Sequence, residues 1–258
     1  MTAGSSKYSS LTERFPPVLM VLCGINVAFY AVLAIFSFAG TTSAVDALAL
    51  PSDITAMLRR PWTLVTYMFA QANLLQLVFN MLWLYCMGRI MLMRSPARQL
   101  ATLYIAGGLM GGIFFGLFYS LIAGDAQPTV LMGSSASVIA IAVTAAFTMP
   151  NLQLYLPIIG SVKLKWLVIF VVALFCIGLT TTNAGGNMAH LGGALCGACF
   201  PLIIKMTTRR AGETCNHETD EYRRLLEKAR KYGYNSLPGS DKRRLFELTQ
   251  QSRSSHGN

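Results

Sequence analysis

Charge is what this chain has least of. Only 12% of its 258 residues are charged, against 53% hydrophobic, and the mean hydropathy is +0.49. A soluble domain carries about 25% charged residues, so the composition points to a membrane protein, all-α by the helix-length apolar runs described below. The eleven acidic residues are Glu13, Asp46, Asp53, Asp125 and seven from Glu213 onward, and none falls in a long apolar run. That gap weighs against a proton-coupled transporter, which buries Asp or Glu in its spans; a channel or carrier for a neutral solute stays open. Histidine is scarce as well, with three in the chain, and none stands near a cysteine pair at metal-ligand spacing. Cys23, Cys86, Cys176, Cys196 and Cys199 lie in apolar runs and Cys215 beyond them. They read as small packing residues, and neither a metal nor a cofactor is expected. Nor is a cleavable signal peptide, because residues 1–16 are polar and the first apolar run is long enough to span.

What the chain does have is six apolar runs, at 17–38, 72–93, 99–122, 132–149, 164–182 and 187–206. Each comes close to or within the roughly 17–25 residues that cross about 30 Å of hydrocarbon as a helix. The fourth is short and stops at Pro150, which suits a helix held inside a bundle. Six spans leave both termini on one side. If that side is the cytoplasm, only Arg59 and Arg60 of the 21 basic residues lie outside, the positive-inside arrangement. The expected organisation is therefore N-in/C-in: a cytoplasmic segment 1–16, a six-helix domain 17–206 and a polar cytoplasmic tail 207–258. The net charge of +10 then reflects topology and contact with an anionic lipid bilayer. No aromatic-studded basic groove accompanies it, so nucleic acid is not an expected partner.

Two connections carry further pattern. The outside loop 39–71 is long enough to be structured, and is expected to hold short interfacial helices with Trp62 and Tyr67 near headgroup level. The tail reads as two helices, 219–231 and 240–251, with Leu225, Leu226, Leu237, Leu245, Phe246 and Leu248 as a core too small to stand alone. Docking on the membrane domain, a protein partner for the tail, or simple attachment to lipid are the alternatives.

His190 is the single histidine inside an apolar run, and an intramembrane histidine is a functional-site hypothesis by default. Ser135 opens another run 55 positions earlier, and the two types together make a hydroxyl nucleophile and an imidazole base. Under the topology above, spans 2, 4 and 6 all enter from the outside. Asn80, Ser135 and His190 then lie within roughly 5–12 Å of that surface at 1.5 Å per residue, where water can reach them. With no carboxylate at this depth, a Ser-His-Asp triad is not expected and a dyad is what remains. His190 in its neutral form is the general base, and the developing oxyanion needs preset donors. The Ser135 backbone N–H at a helix start and the Asn80 amide supply two; Gln76, one turn earlier on the same face, supplies a third. Gly133, Gly192, Gly193 and Gly197 let the helices approach, with Gly193-x-x-x-Gly197 a small-xxx-small pattern. Each part has a plainer reading: Ser135 bonding a backbone carbonyl, Asn80 and Gln76 joining helices, His190 as a structural core residue. Shared depth favours the joint reading.

At these residues the chain resembles the rhomboid family of intramembrane serine proteases, from about Trp62 to Pro201. Gly133-Ser134-Ser135-Ala136 is similar to the family's Gly-x-Ser-Gly motif, with Ser135 as nucleophile. Ala189-His190-Leu191-Gly192-Gly193-Ala194-Leu195-Cys196-Gly197 is similar to its base motif, and Phe79-Asn80-Met81-Leu82-Trp83-Leu84 to the second-span motif carrying the oxyanion asparagine. The resemblance implies a six-transmembrane-helix bundle with an outside-facing water cavity, entered laterally by the transmembrane segment of a substrate protein, and no cofactor. Its alternative is a proteolytically silent rhomboid-like binder of transmembrane segments, although such relatives lack the serine or the histidine. Four residues depart from the pattern: Gln76 for histidine, Thr63 for the arginine after Trp62, Ala136 for glycine, and Ile139 for an aromatic ring that packs on the histidine. The tail is similar to a segment appended to rhomboids of one bacterial group, which implies a bacterial inner membrane with the active site at the periplasmic or outside leaflet.

Overall fold

Pro17 stands at the first position of helix α1 (Pro17–Phe38), where its missing N–H costs nothing and its fixed φ favours the helix. Its 22 residues extend about 33 Å. The computed structural model describes residues 15–123, 129–156, 160–179 and 183–255. The segment 1–16, apart from Phe15 and Pro16, lies outside them, as does Asp125. Two compact units divide at Pro201/Leu202.

After α1 the chain builds a structured connection: α2 (Ser43–Leu48), β1 (Leu50–Pro51), α3 (Ile54–Arg59) and α4 (Thr63–Thr66). Asp53 caps α3, its carboxylate accepting from the N–H groups of Thr55 and Ala56 at 3.1 and 3.0 Å. Three side chains tie the connection to itself. The Arg60 guanidinium donates to the Asp46 carbonyl, Trp62 Nε1 to Ala47 O at 2.9 Å, and Thr66 Oγ1 to Leu48 O at 2.8 Å. Trp62 is half exposed, as an interfacial residue should be, but Tyr67 is buried. Its hydroxyl donates to Gly108 O at 2.6 Å, which corrects the expected headgroup position: a tyrosine whose O–H finds a partner inside loses its reason to stay at the interface.

Helix α5 (Leu74–Leu92) starts at Asn73, whose side chain accepts from Gln76 N at 2.9 Å. Helix α6 (Ala97–Phe118) follows Pro96 and continues as a π turn over Tyr119–Ala123. Strand β2 (Val130–Leu131) pairs antiparallel with β1 and leads into α7 (Ser135–Thr148). An antiparallel ribbon, β3 (Gln153–Leu156) with β4 (Gly160–Lys163), precedes α8 (Leu164–Gly178). Helix α9 runs Ala184–Tyr232, and α10 covers Gly239–Ser255. By length and apolarity α1, α5, Ala97–Ile122 and Ala184–Met206 can cross a membrane, and α7 and α8 are shorter apolar helices. The fold is therefore the expected helical bundle, with two short strand pairs added. Side chains such as Leu75, Phe79, Leu82, Ile169 and Phe170 are exposed, as lipid-facing residues are.

At 14 residues, α7 extends only about 21 Å, and every residue from Ala136 to Ala146 is buried. It packs against α5, α6 and α8, and small residues make that possible. An added Cβ at Gly107 would collide with the Ala140 methyl, and one at Gly111 with the Ala136 methyl. The extra methyl of Ala136 thus fills space that Gly111 leaves open. On the α9 side, a Cβ at Gly193 would meet the Ala136 carbonyl and one at Gly197 the Ala140 carbonyl, so these glycines set the distance between α7 and α9. Because the obstacle is backbone, Gly193→Ala is expected to destabilise by about 1–3 kcal/mol, read as a lower unfolding temperature in detergent. An unchanged unfolding temperature would mean that α7 and α9 are not held at this spacing.

In the second unit, Leu225, Leu237, Leu245 and Leu248 form a small buried cluster with Tyr222 and Ala229 against it. Leu226 and Phe246, expected in that core, are exposed. The Arg244 guanidinium grips Glu221, with Nη2 3.1 Å from Oε2; both side chains are about a third exposed, so the pair contributes little. The helix expected at 219–231 falls within the range of α9.

Candidate active site

Gly133 makes the turn into α7. Its φ of +129° lies where a side chain is strained, and its N–H donates to Tyr67 O at 3.0 Å. The backbone then enters the helix at Ser135, whose N–H, as the first of the helix, has no partner within it. The helix dipole adds partial positive charge at the same point.

From the first turn of α7, Ser135 Oγ reaches His190 Nε2 on α9 at 2.8 Å. With the imidazole proton on Nδ1, the serine hydroxyl donates to Nε2. Nδ1 itself is buried and has no partner among the described residues, so no carboxylate or carbonyl orients the ring. An unsatisfied buried donor costs about 1–3 kcal/mol, which functional sites tolerate and cores avoid. What holds the imidazole is Phe175 of α8, its ring centroid 4.2 Å away at an interplanar angle of 49°. The aromatic support missing at Ile139 therefore comes from another helix. Aromatic pairs contribute about 0.5–1.5 kcal/mol, so Phe175→Ala is expected to lower kcat several-fold and Phe175→Tyr to restore most of it. Equal rates for both variants and wild type would remove Phe175 from the site.

Ser135 and His190 line a cavity of about 240 Å³ together with Asn80 and Trp83 of α5, Val138 and Ile139 of α7, and Val168, Val172 and Phe175 of α8. The walls are apolar apart from the three polar side chains, the pattern of a ligand pocket. Asn80 Nδ2 donates one of its two N–H groups to Gln71 Oε1 at 2.8 Å.

Gln76 is placed differently. Its Oε1 accepts from Ala72 N at 2.9 Å, its Nε2 donates to Met132 O at 3.0 Å, and it does not line the cavity. It braces the strand leading to Gly133, where an added Cβ would strike its amide nitrogen. Gly192 serves packing against α6, since a Cβ there would come within 2.7 Å of Met110 O.

Three residues that sequence reasoning passed over connect to these side chains: Phe175 packs on His190, Gln71 accepts from Asn80 and Asn26 accepts from Gln71. Asn26 interrupts the apolar run of α1, which is itself a signal. Gln71 and Phe175 sit in no motif and show no periodicity of their own.

The Rhomboid domain model matches residues 58–207, a stretch holding Asn80, Ser135 and His190 but not α1. RHOMBOID-like protein 12, mitochondrial, of Arabidopsis thaliana is 30% identical over 144 residues, covering 51% of this chain and 43% of that relative. The alignment thus spans less than half of the relative's length. The family model covers more than half of the chain, and the protein belongs to the rhomboid family.

Proposed function

We propose that this integral membrane protein is an intramembrane serine endopeptidase working through a Ser135-His190 dyad. The observation that carries the reading is the 2.8 Å contact between Ser135 Oγ and His190 Nε2 at the wall of an apolar cavity that also holds Asn80. A helix-gluing serine would spend its hydroxyl on a backbone carbonyl, and a satisfied structural histidine would not leave Nδ1 without a partner. The substrate is a transmembrane protein, a segment of which enters the cavity from the lipid between α5 and α8.

The steps follow from the atoms present. His190 Nε2 takes the hydroxyl proton as Ser135 Oγ attacks the scissile carbonyl. The tetrahedral oxyanion accepts from the Ser135 N–H and the second N–H of Asn80. His190 then gives its proton to the leaving amine, and the acyl group stays on Ser135. Water, deprotonated by His190, attacks the ester; as the acyl–Oγ bond breaks, His190 returns that proton to Ser135 Oγ and the second product leaves as its carboxylate. The distribution of basic residues supports both termini in the cytoplasm and the cavity near the opposite face.

Gln76 keeps a part in this scheme by steadying the segment before Ser135. Gln76→Ala is expected to slow cleavage several-fold; a rate equal to wild type would mean that segment needs no brace. The function itself is tested by reconstituting the full chain in liposomes with a panel of single-span substrates. Mass spectrometry should find products cut within or near the transmembrane segment, absent with Ser135→Ala. No product from any substrate would contradict the proposal and favour a silent binder of transmembrane segments.

A further inference from the structure

We propose that Gln71 is a positioning residue that fixes which atom of the Asn80 amide faces the reacting carbonyl; this rests on the protease reading above. An asparagine amide can turn over, exchanging a donor for an acceptor at the oxyanion. Asn80 sits on α5 with its nitrogen against Gln71 Oε1, 2.8 Å away, and a turned amide would bring oxygen against oxygen. That constraint holds only while Gln71 is itself unable to turn.

The surrounding bonds lock it. Gln71 Nε2 donates to Asn26 Oδ1 at 2.9 Å and to Ser134 Oγ at 3.0 Å, so both of its hydrogens are used. Asn26 Nδ2 in turn donates to Leu22 O and to the Tyr104 hydroxyl, both at 2.9 Å. Tyr104 O–H donates to Met68 O at 3.0 Å. The chain of bonds therefore ends on two backbone carbonyls, Leu22 and Met68, which can only accept. Starting from those carbonyls, each orientation follows from the one before: Asn26 must present its oxygen to Gln71, and Gln71 must present its oxygen to Asn80. Every side chain in the series is buried, and bonds in such a series polarise one another. The result is an Asn80 nitrogen held by Gln71 with its second N–H outside that bond, on a residue that lines the cavity containing Ser135; that N–H is the donor assigned to the oxyanion. Gln71 touches neither the dyad nor that cavity; it acts through Asn80. The relay also gives α1 a share in the site, although α1 lies outside the family match.

A double-mutant cycle tests this with the full-length protein in liposomes. Gln71→Met keeps the side chain's length and removes its polarity. It is expected to lower kcat by about tenfold or more, as small misplacements of catalytic groups do, with KM unchanged. In an Asn80→Ala background the same change should cost nothing further, because there is no amide left to orient. Asn26→Leu, which touches Asn80 at no point, should show a smaller loss that also disappears in that background, and it keeps the test alive if Gln71→Met does not fold. A loss that persists undiminished in the Asn80→Ala background, or an unchanged kcat in the single variants, would overturn the inference while leaving a cleaving wild type and the protease reading intact. If wild type neither cleaves nor is labelled at Ser135 by a fluorophosphonate, the reading beneath it fails instead.

Discussion

Replacing Ser135 with alanine is expected to lower kcat by about 10⁶-fold, and His190→Ala by a similar amount, with little further loss when both are changed. The two atoms 2.8 Å apart act as one device: without the imidazole the hydroxyl keeps its proton, and without the hydroxyl the imidazole has nothing to activate. Rates measured in liposomes on one transmembrane substrate would check this. Losses that multiply in the double variant would show that the two residues act separately, and the dyad would have to be abandoned.

Asn80→Ala should cost about 10²–10³ in kcat, the usual loss when one oxyanion donor is removed, with KM nearly unchanged. The reason for the split is that the oxyanion exists only in the transition state, so a donor aimed at it does little for the bound ground state. A rise in KM with constant kcat would instead make Asn80 part of the substrate-binding wall. The effect is smaller than that of the dyad because the Ser135 N–H, at the positive end of α7, still contributes.

Much of this site was legible from residue types alone. Ser135 and His190 stand out because a hydroxyl beside a turn glycine and an imidazole in an apolar run are each costly without a purpose. The depth argument, which needed only span boundaries, grouped them with Asn80, and the three line one cavity. The same argument misplaced Gln76: depth locates a Cα, but the direction of the side chain depends on which backbone groups need a partner, here Ala72 N–H and Met132 O. Gln71 was invisible because it lies outside every span, in a connection whose path is set by Tyr67 and Met68 turning inward. Phe175 was missed because support for His190 was sought on α7, four residues after Ser135, whereas α8 supplies it. The β3–β4 ribbon has strands of only four residues each, too few for alternation to separate them from the neighbouring apolar runs.

The most direct single measurement is the site of covalent labelling. Full-length protein in liposomes is treated with a biotinylated fluorophosphonate, digested and mapped by mass spectrometry while residual cleavage of a single-span substrate is followed. The expected result is one adduct, on Ser135, with cleavage falling in step with its formation and no adduct when His190 is alanine. Undiminished cleavage by fully labelled protein, or inactivation with the adduct on another residue, would contradict the dyad.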